Sequence, residues 1–131
     1  MEKLAPAPDD YAKLLRYRTA LRRFLHWSEQ QARSAGLTAA QHQLLLAVKG
    51  HENSDGPTVG DVADYLTLRH NSAVELIDRA ERGGYIERVR DAADQRVIRV
   101  RLTELGERHI EQLSEAHLDE LRRLNELNPP P

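Results

Sequence analysis

The chain has no cysteine. Disulfides, thiolate metal sites and a cysteine redox switch are therefore excluded, in agreement with a cytoplasmic location. No apolar run approaches the ~18 residues of a membrane span, and the opening Met1-Glu-Lys-Leu-Ala-Pro is not expected to be a signal peptide. Also missing are a Gly-rich phosphate loop and any nucleophile elbow around Ser28, Ser34, Ser54, Ser72 or Ser114, so neither an enzyme nor a cofactor is expected. There are six histidines but no pair four apart. His109 and His117 could approach His42 across helices, but a lone His is more often a surface or core residue, and no metal site is assigned.

A surplus of positive charge is lacking too: the formal net charge is −2. Its distribution is uneven. Residues 11–33 hold six Lys and Arg against one acid, and residues 88–101 five against two, whereas residues 104–127 hold three against seven. A basic patch on an acidic scaffold still attracts phosphate, because local potential governs docking.

What remains is a chain of 131 residues, 40% hydrophobic and 31% charged, as expected of one soluble, helical domain. At that size dimerisation would add burial that a single copy lacks.

The centre of the chain is residues 58–102. Val59, Val62, Ala63 and Leu66 fall at i, i+3, i+4, i+7, with Thr58 placed to cap and Asp61 near the positive end of the dipole. After a turn at Thr67, Leu68 and Arg69, the same spacing returns in Ala73, Leu76, Ile77 and Ala80, and Gly83-Gly84 stops the helix. Two short amphipathic helices so joined are a helix-turn-helix. A hairpin follows, with 85–90 outward, a polar turn at 91–96 and 97–102 returning; Ile98, Val100 and Leu102 are expected inside and Arg99 and Arg101 outside. The fold expected is mainly α with a small β-hairpin wing, a winged helix-turn-helix whose second helix enters a major groove.

A long first helix is expected from a cap at Asp9 or Asp10 to Ser34, after a Pro- and Ala-rich arm and before Gly36. Its apolar stripe, Leu14, Tyr17, Leu21, Phe24, Leu25 and Ser28, widened by Leu15 and Trp27, is too broad for one contact and suggests a partner chain. Thr38 to Gln41 form a capping box before Leu44, Leu45, Leu46 and Val48. Thr103 is placed to cap a last helix whose Ile110, Leu113, His117, Leu121, Leu124 and Leu127 make a helix–helix seam, stopped by Asn128 and Pro129 to Pro131. The chain thus divides into a dimerisation helix with its arm (1–36), the winged helix (37–103) and a second dimerisation helix (104–131), within one compact domain.

Ser72-Ala-Val-Glu-Leu-Ile-Asp-Arg79, Gly84-Tyr-Ile-Glu-Arg88, Asp94-Gln-Arg96 and Leu102-Thr-Glu-Leu-Gly106 together resemble the multiple-antibiotic-resistance regulators, the MarR family, over about residues 37–121. The resemblance implies a homodimeric, sequence-specific regulator of transcription, usually a repressor on a pseudo-palindromic double-stranded DNA operator, with release by a small aromatic effector as a further option. An effector pocket by resemblance would use Tyr17, Arg22, His26 and Trp27. The family usually adds a further C-terminal helix; here the dimer is expected to rest on the first and last helices.

The expected DNA contacts are Arg69, His70, Asn71, Ser72, Glu75 and Arg79 on the second helix of the motif, and Arg88, Asp94 and Arg96 on the wing. Asn71 suits an adenine edge, unless it merely caps the helix, and Glu75 suits cytosine N4, although the family favours a basic or small residue there. Asp78 and Arg79 match the family's Asp-Arg pair, whose expected role is an ion pair buttressing the wing. Asp94 would hold the hairpin tip, leaving Arg96 to reach a minor groove; Gln95 replaces the first of two arginines common in the family. Arg90, Arg99 and Arg101 are lesser phosphate candidates. Two rival readings keep the fold and change its use. One is a protein-interaction module, the other a ligand or metal sensor with weak DNA binding.

Overall fold

The computed structural model describes residues 3–127, in the order α1 (Pro8–Ser34), α2 (Ala39–Gly50), α3 (Val59–Leu66), α4 (His70–Arg82), β1 (Ile86–Arg90), β2 (Ile98–Leu102) and α5 (Glu104–Leu127). The stop expected at Asn128 and Pro129 to Pro131, and the first two residues of the arm, lie outside the described residues. No helix among the described residues is long and apolar enough to cross a membrane.

Helix starts follow local chemistry. Thr38 and Thr58 each accept the N–H three residues on, from Gln41 and Asp61, whose side chains return the bond to the threonine N–H. Thr103 likewise accepts from Gly106 at the start of α5. The start of α1 differs from expectation: the cap position is Ala7, Pro8 opens the helix, and Asp10 reaches back to the Ala7 N–H at 2.9 Å. Proline needs no N–H partner in the first turn, so Asp9 and Asp10 lie inside the helix, where the dipole favours them.

The ends of α1, α3 and α4 share one device, a residue in the left-handed region just past the last turn (Gly36, Thr67 and Gly84). Gly84 serves α4 with φ +81°, and the Tyr85 N–H then reaches the Ala80 carbonyl at 3.0 Å. Thr67 serves α3 with φ +54°, followed by the Leu68 N–H on the Ala63 carbonyl at 2.9 Å. A β-branched residue is strained there, so the turn between α3 and α4 stores energy that a glycine would release.

The two strands pair antiparallel, Ile86 opposite Leu102 and Arg90 opposite Ile98. The core lies where α2, α3, α4, the hairpin and the first half of α5 meet, around Leu44, Leu45, Val62, Ile77, Ile86, Val100 and Ile110. Ala73, Leu76, Ile77 and Ala80 are all buried, as the spacing requires.

Two expectations about burial need correction. Leu46 is exposed while Leu44, Leu45 and Val48 are inside. In β2 only Val100 is buried; Ile98 is exposed, and Arg99 is half-buried because the loop before α3 covers it. In the stripe of α1, Leu14, Leu15, Leu21 and Leu25 are exposed and only Ala32 is buried; in α5 burial ends at Leu113, and Leu121 and Leu127 are exposed. Within one chain, the outer halves of these helices have nothing to cover them.

Candidate nucleic-acid interface

The start of α4 differs from every other helix start described above. Arg69 occupies the cap position with no side-chain bond, and the first turn carries no acid. The first N–H groups of α4 therefore lack a side-chain partner while the positive end of the dipole faces outward, which suits phosphate. Arg69, His70, Asn71, Ser72, Glu75 and Arg79 are all exposed around this turn. Asn71 sits inside the helix, so it is not the cap. Val74, placed on the same face by its spacing, is half-buried.

The wing is braced from two sides. Arg88 on β1 pairs with Asp78 and with Glu81 (2.6 Å), both on α4. The buttress is thus Asp78 with Arg88; Arg79 stays exposed. Arg88, expected on DNA, is engaged within the chain, and the Asp78 hydrogen bond above all raises its pKa further. Arg99 on β2 donates to Asp91 (2.7 Å) and to the Gly56 carbonyl (2.9 Å). Gly56 has φ +91°, and a Cβ there would lie 2.3 Å from the Val100 carbonyl oxygen. Only glycine lets this loop run so close to β2.

At the tip, Asp94 accepts from the Arg96 backbone N–H and from its Nε and Nη2, each at 3.1 Å. The Arg96 side chain is nevertheless 90% exposed. These bonds hold the Asp94 carboxyl below the usual carboxylate range, as Arg99 does for Asp91, so both are ionised at neutral pH. Arg90 donates to the Gln95 carbonyl at 3.0 Å, and Arg101 is exposed.

The effector residues do not converge. Of Tyr17, Arg22, His26 and Trp27, only Trp27 lines the groove of about 570 Å³ between α1 and α5; Arg22 and His26 are exposed. A polar centre lies nearby, built on the approach of His117 to His42 and joined by Trp27 and Ser28, which the sequence did not place there. The His117 ring sits 4.7 Å from His42 and 4.8 Å from Trp27, with Ser28 Oγ 2.7 Å from its Nε2. If Nδ1–H donates to the Leu113 carbonyl (2.6 Å), Nε2 accepts from the serine. Burial first, and then His117, push the pKa of His42 down to about 4. His109 instead packs edge-on against Tyr85, and among the described residues no three His, Cys, Asp or Glu side chains are grouped to hold a metal. No local pattern marks this centre, because its members come from three helices.

Residues 35–97 match the MarR family model. The chain is 35% identical over 69 residues to YsmB of Bacillus subtilis, an uncharacterised HTH-type transcriptional regulator, covering 53% of this chain and 47% of that protein. It is 37% identical over 75 residues to the transcriptional activatory protein BadR of Rhodopseudomonas palustris, covering 57% and 42%. The matched segments span about half the length of these curated relatives. The fold is similar to that of a Staphylococcus aureus MepR mutant bound to an oligodeoxyribonucleotide, with TM-score 0.70 and 26% identity over 86% of this chain and 79% of that one. Over residues 35–97, its winged helix, the chain is similar to the MarR family. Members of that family are transcriptional regulators, not enzymes.

Proposed function

We propose that this MarR-family chain is a homodimeric, sequence-specific regulator of transcription that acts in the cytoplasm on a pseudo-palindromic double-stranded operator. The observation that carries the reading is the uncapped, acid-free start of α4 with Arg69, His70, Asn71 and Ser72 exposed around it. The start of α4 would meet base edges and phosphates in a major groove, and Arg96 would lie in the adjacent minor groove. The oligodeoxyribonucleotide bound to the MepR mutant supports this use of the fold. The uncovered apolar faces of α1 and α5 support a second copy as partner. That arrangement would set two recognition helices about 34 Å apart, one turn of DNA. Repression then follows by steric exclusion, and a small effector would act by changing the spacing of the two lobes.

Fluorescence anisotropy on overlapping duplexes from the DNA flanking its own coding region tests this, with unrelated duplex as reference at two salt concentrations. A site bound about 10³-fold more tightly than unrelated DNA is expected. Equal, weak binding to every duplex would refute the reading. Arg96→Ala should weaken binding to all sequences and lower the salt slope by about one per protomer. Asn71→Ala and Glu75→Ala should change which sequence is preferred; uniform weakening would show that neither reads bases.

A further inference from the structure

Among the described ion pairs, Arg99 with Asp91 has the least exposed side chains, at 20% and 13%. Neither residue lies at the uncapped helix start or at the exposed tip. Their bonds nonetheless run between the body of the protein and that tip. The Gly56 carbonyl, in the loop before α3, accepts from Arg99 Nη1. The same guanidinium donates through Nε to Asp91 Oδ1. The other oxygen of Asp91 accepts the Ala93 N–H at 3.0 Å and the Asp94 N–H at 2.9 Å, which folds the chain back at the turn. Asp94, placed by that turn, holds Arg96 by three bonds. The loop is itself fastened to β2, since the Val100 N–H reaches the Pro57 carbonyl at 2.9 Å.

We infer that Arg99 and Asp91 are positioning residues, which set the place of Arg96 on the nucleic acid through an internal relay without touching it. The inference rests on the reading of Arg96 as a DNA contact. A two-stranded hairpin alone is a marginal structure in water, so its far end needs an anchor. Arginine suits the anchor because its rigid fork sends separate donors to a carboxylate and to a carbonyl; a lysine offers one compact charge and cannot span both.

The relay makes a prediction opposite in sign to simple electrostatics. Asp91→Asn removes a negative charge beside a basic wing, which by charge alone would strengthen DNA binding. A relay predicts weakening, because the turn that carries Arg96 is released. The test uses the full chain and a labelled mixed-sequence duplex of about 30 base pairs, enough for two half-sites one turn apart. Asp91→Asn and Arg99→Lys should each cost about five- to tenfold in affinity at low salt. Each should also lower the salt slope by about one per protomer, as Arg96→Ala does. Arg96→Ala combined with Arg99→Lys should bind no worse than Arg96→Ala alone, since both remove one contact.

Wild-type or tighter binding by Asp91→Asn and Arg99→Lys would overturn the inference. So would additive losses in the double variant, which would make residue 99 a phosphate contact in its own right. Amide hydrogen exchange in the free protein separates the relay from the role of Arg96. Arg99→Lys should speed exchange at Ala93 and Asp94 and leave the amides of α5 unchanged; equal protection at the turn would remove the relay. If Arg96→Ala leaves the salt slope intact, the DNA-contact reading of Arg96 fails by itself, and exchange still decides whether the relay exists.

Discussion

Ile77 and Leu25 are both large aliphatic residues on the apolar stripe of an amphipathic helix, but Ile77 is wholly buried and Leu25 is 62% exposed. The contrast extends to the segments around them. In the winged half, the stripes of α3 and α4 close on α2, the hairpin and the start of α5. On α1, Leu14, Leu21, Leu25 and Ala32 share one face, but only Ala32 meets the core. On α5, Ile110 and Leu113 are inside, and Leu121, further along the same seam, is exposed. The same residue pattern is thus complete within one copy in the first region and unfinished in the second. A stripe in the sequence states that a face will be covered, and is silent about which chain covers it.

Truncation should separate the two regions most strongly. Ile77→Ala leaves a cavity in a filled core and should cost about 3 kcal/mol in denaturant unfolding. Leu25→Ala, measured at a concentration low enough to keep the chain monomeric, should cost well under 1 kcal/mol. Comparable losses would mean that α1 is covered within the chain.

Acid probes the seam between the regions, where His42 on α2 meets His117 on α5. Unfolded, His42 takes its proton near pH 6.5; folded, it does so only near pH 4. Between those values the unfolded state binds more protons, so the stabilisation is complete above pH 6.5 and lost as pH falls through about 4. At about 1.4 kcal/mol per unit, the loss is at most about 3–4 kcal/mol. His42→Phe should flatten stability against pH in that window, and an unchanged slope would show that other groups carry it.

Association should respond next. Leu25→Asp puts a charge on the uncovered face of α1 and should weaken self-association about tenfold or more, seen as a fall in mass by light scattering on dilution. The circular dichroism of the winged half should not change. The smallest effect belongs to the turn inside the winged half. Thr67→Gly relieves a left-handed β-branched residue, at the entropic cost of glycine, for a net gain of about 0.5–1 kcal/mol. A lower melting temperature would show that the Thr67 side chain contributes more than its backbone strain costs.

Much of the fold was legible because its signals are local. A threonine three residues ahead of a glutamine or aspartate starts a helix, four apolar residues at helical spacing bury one face, and Gly83-Gly84 ends it. The exposed face of α4 and the tip arginine Arg96 were legible for the same reason. The roles of the other wing arginines were not. By alternation Arg99 belongs to the outer face of β2, and nothing beside it in sequence shows that the loop at Gly56 covers that face. Arg88 likewise reads as a basic strand residue until α4 brings Asp78 and Glu81 to it. The failure of Tyr17, Arg22, His26 and Trp27 to converge has a similar cause. Residues close along one helix point in several directions, and a pocket needs walls from other elements.

By itself, then, the sequence determined the elements, the threonine caps of α2, α3 and α5, the buried face of α4 and the absence of cysteine chemistry. Each of these depends on neighbours within a turn or two along the chain, where backbone geometry fixes the distances. Tertiary structure alone decided which arginines are spent inside the protein, that Ser28 and Trp27 join His42 and His117, and that half of each long helix is left uncovered. Those outcomes depend on groups brought together across tens of residues, and on how much apolar surface one copy leaves uncovered.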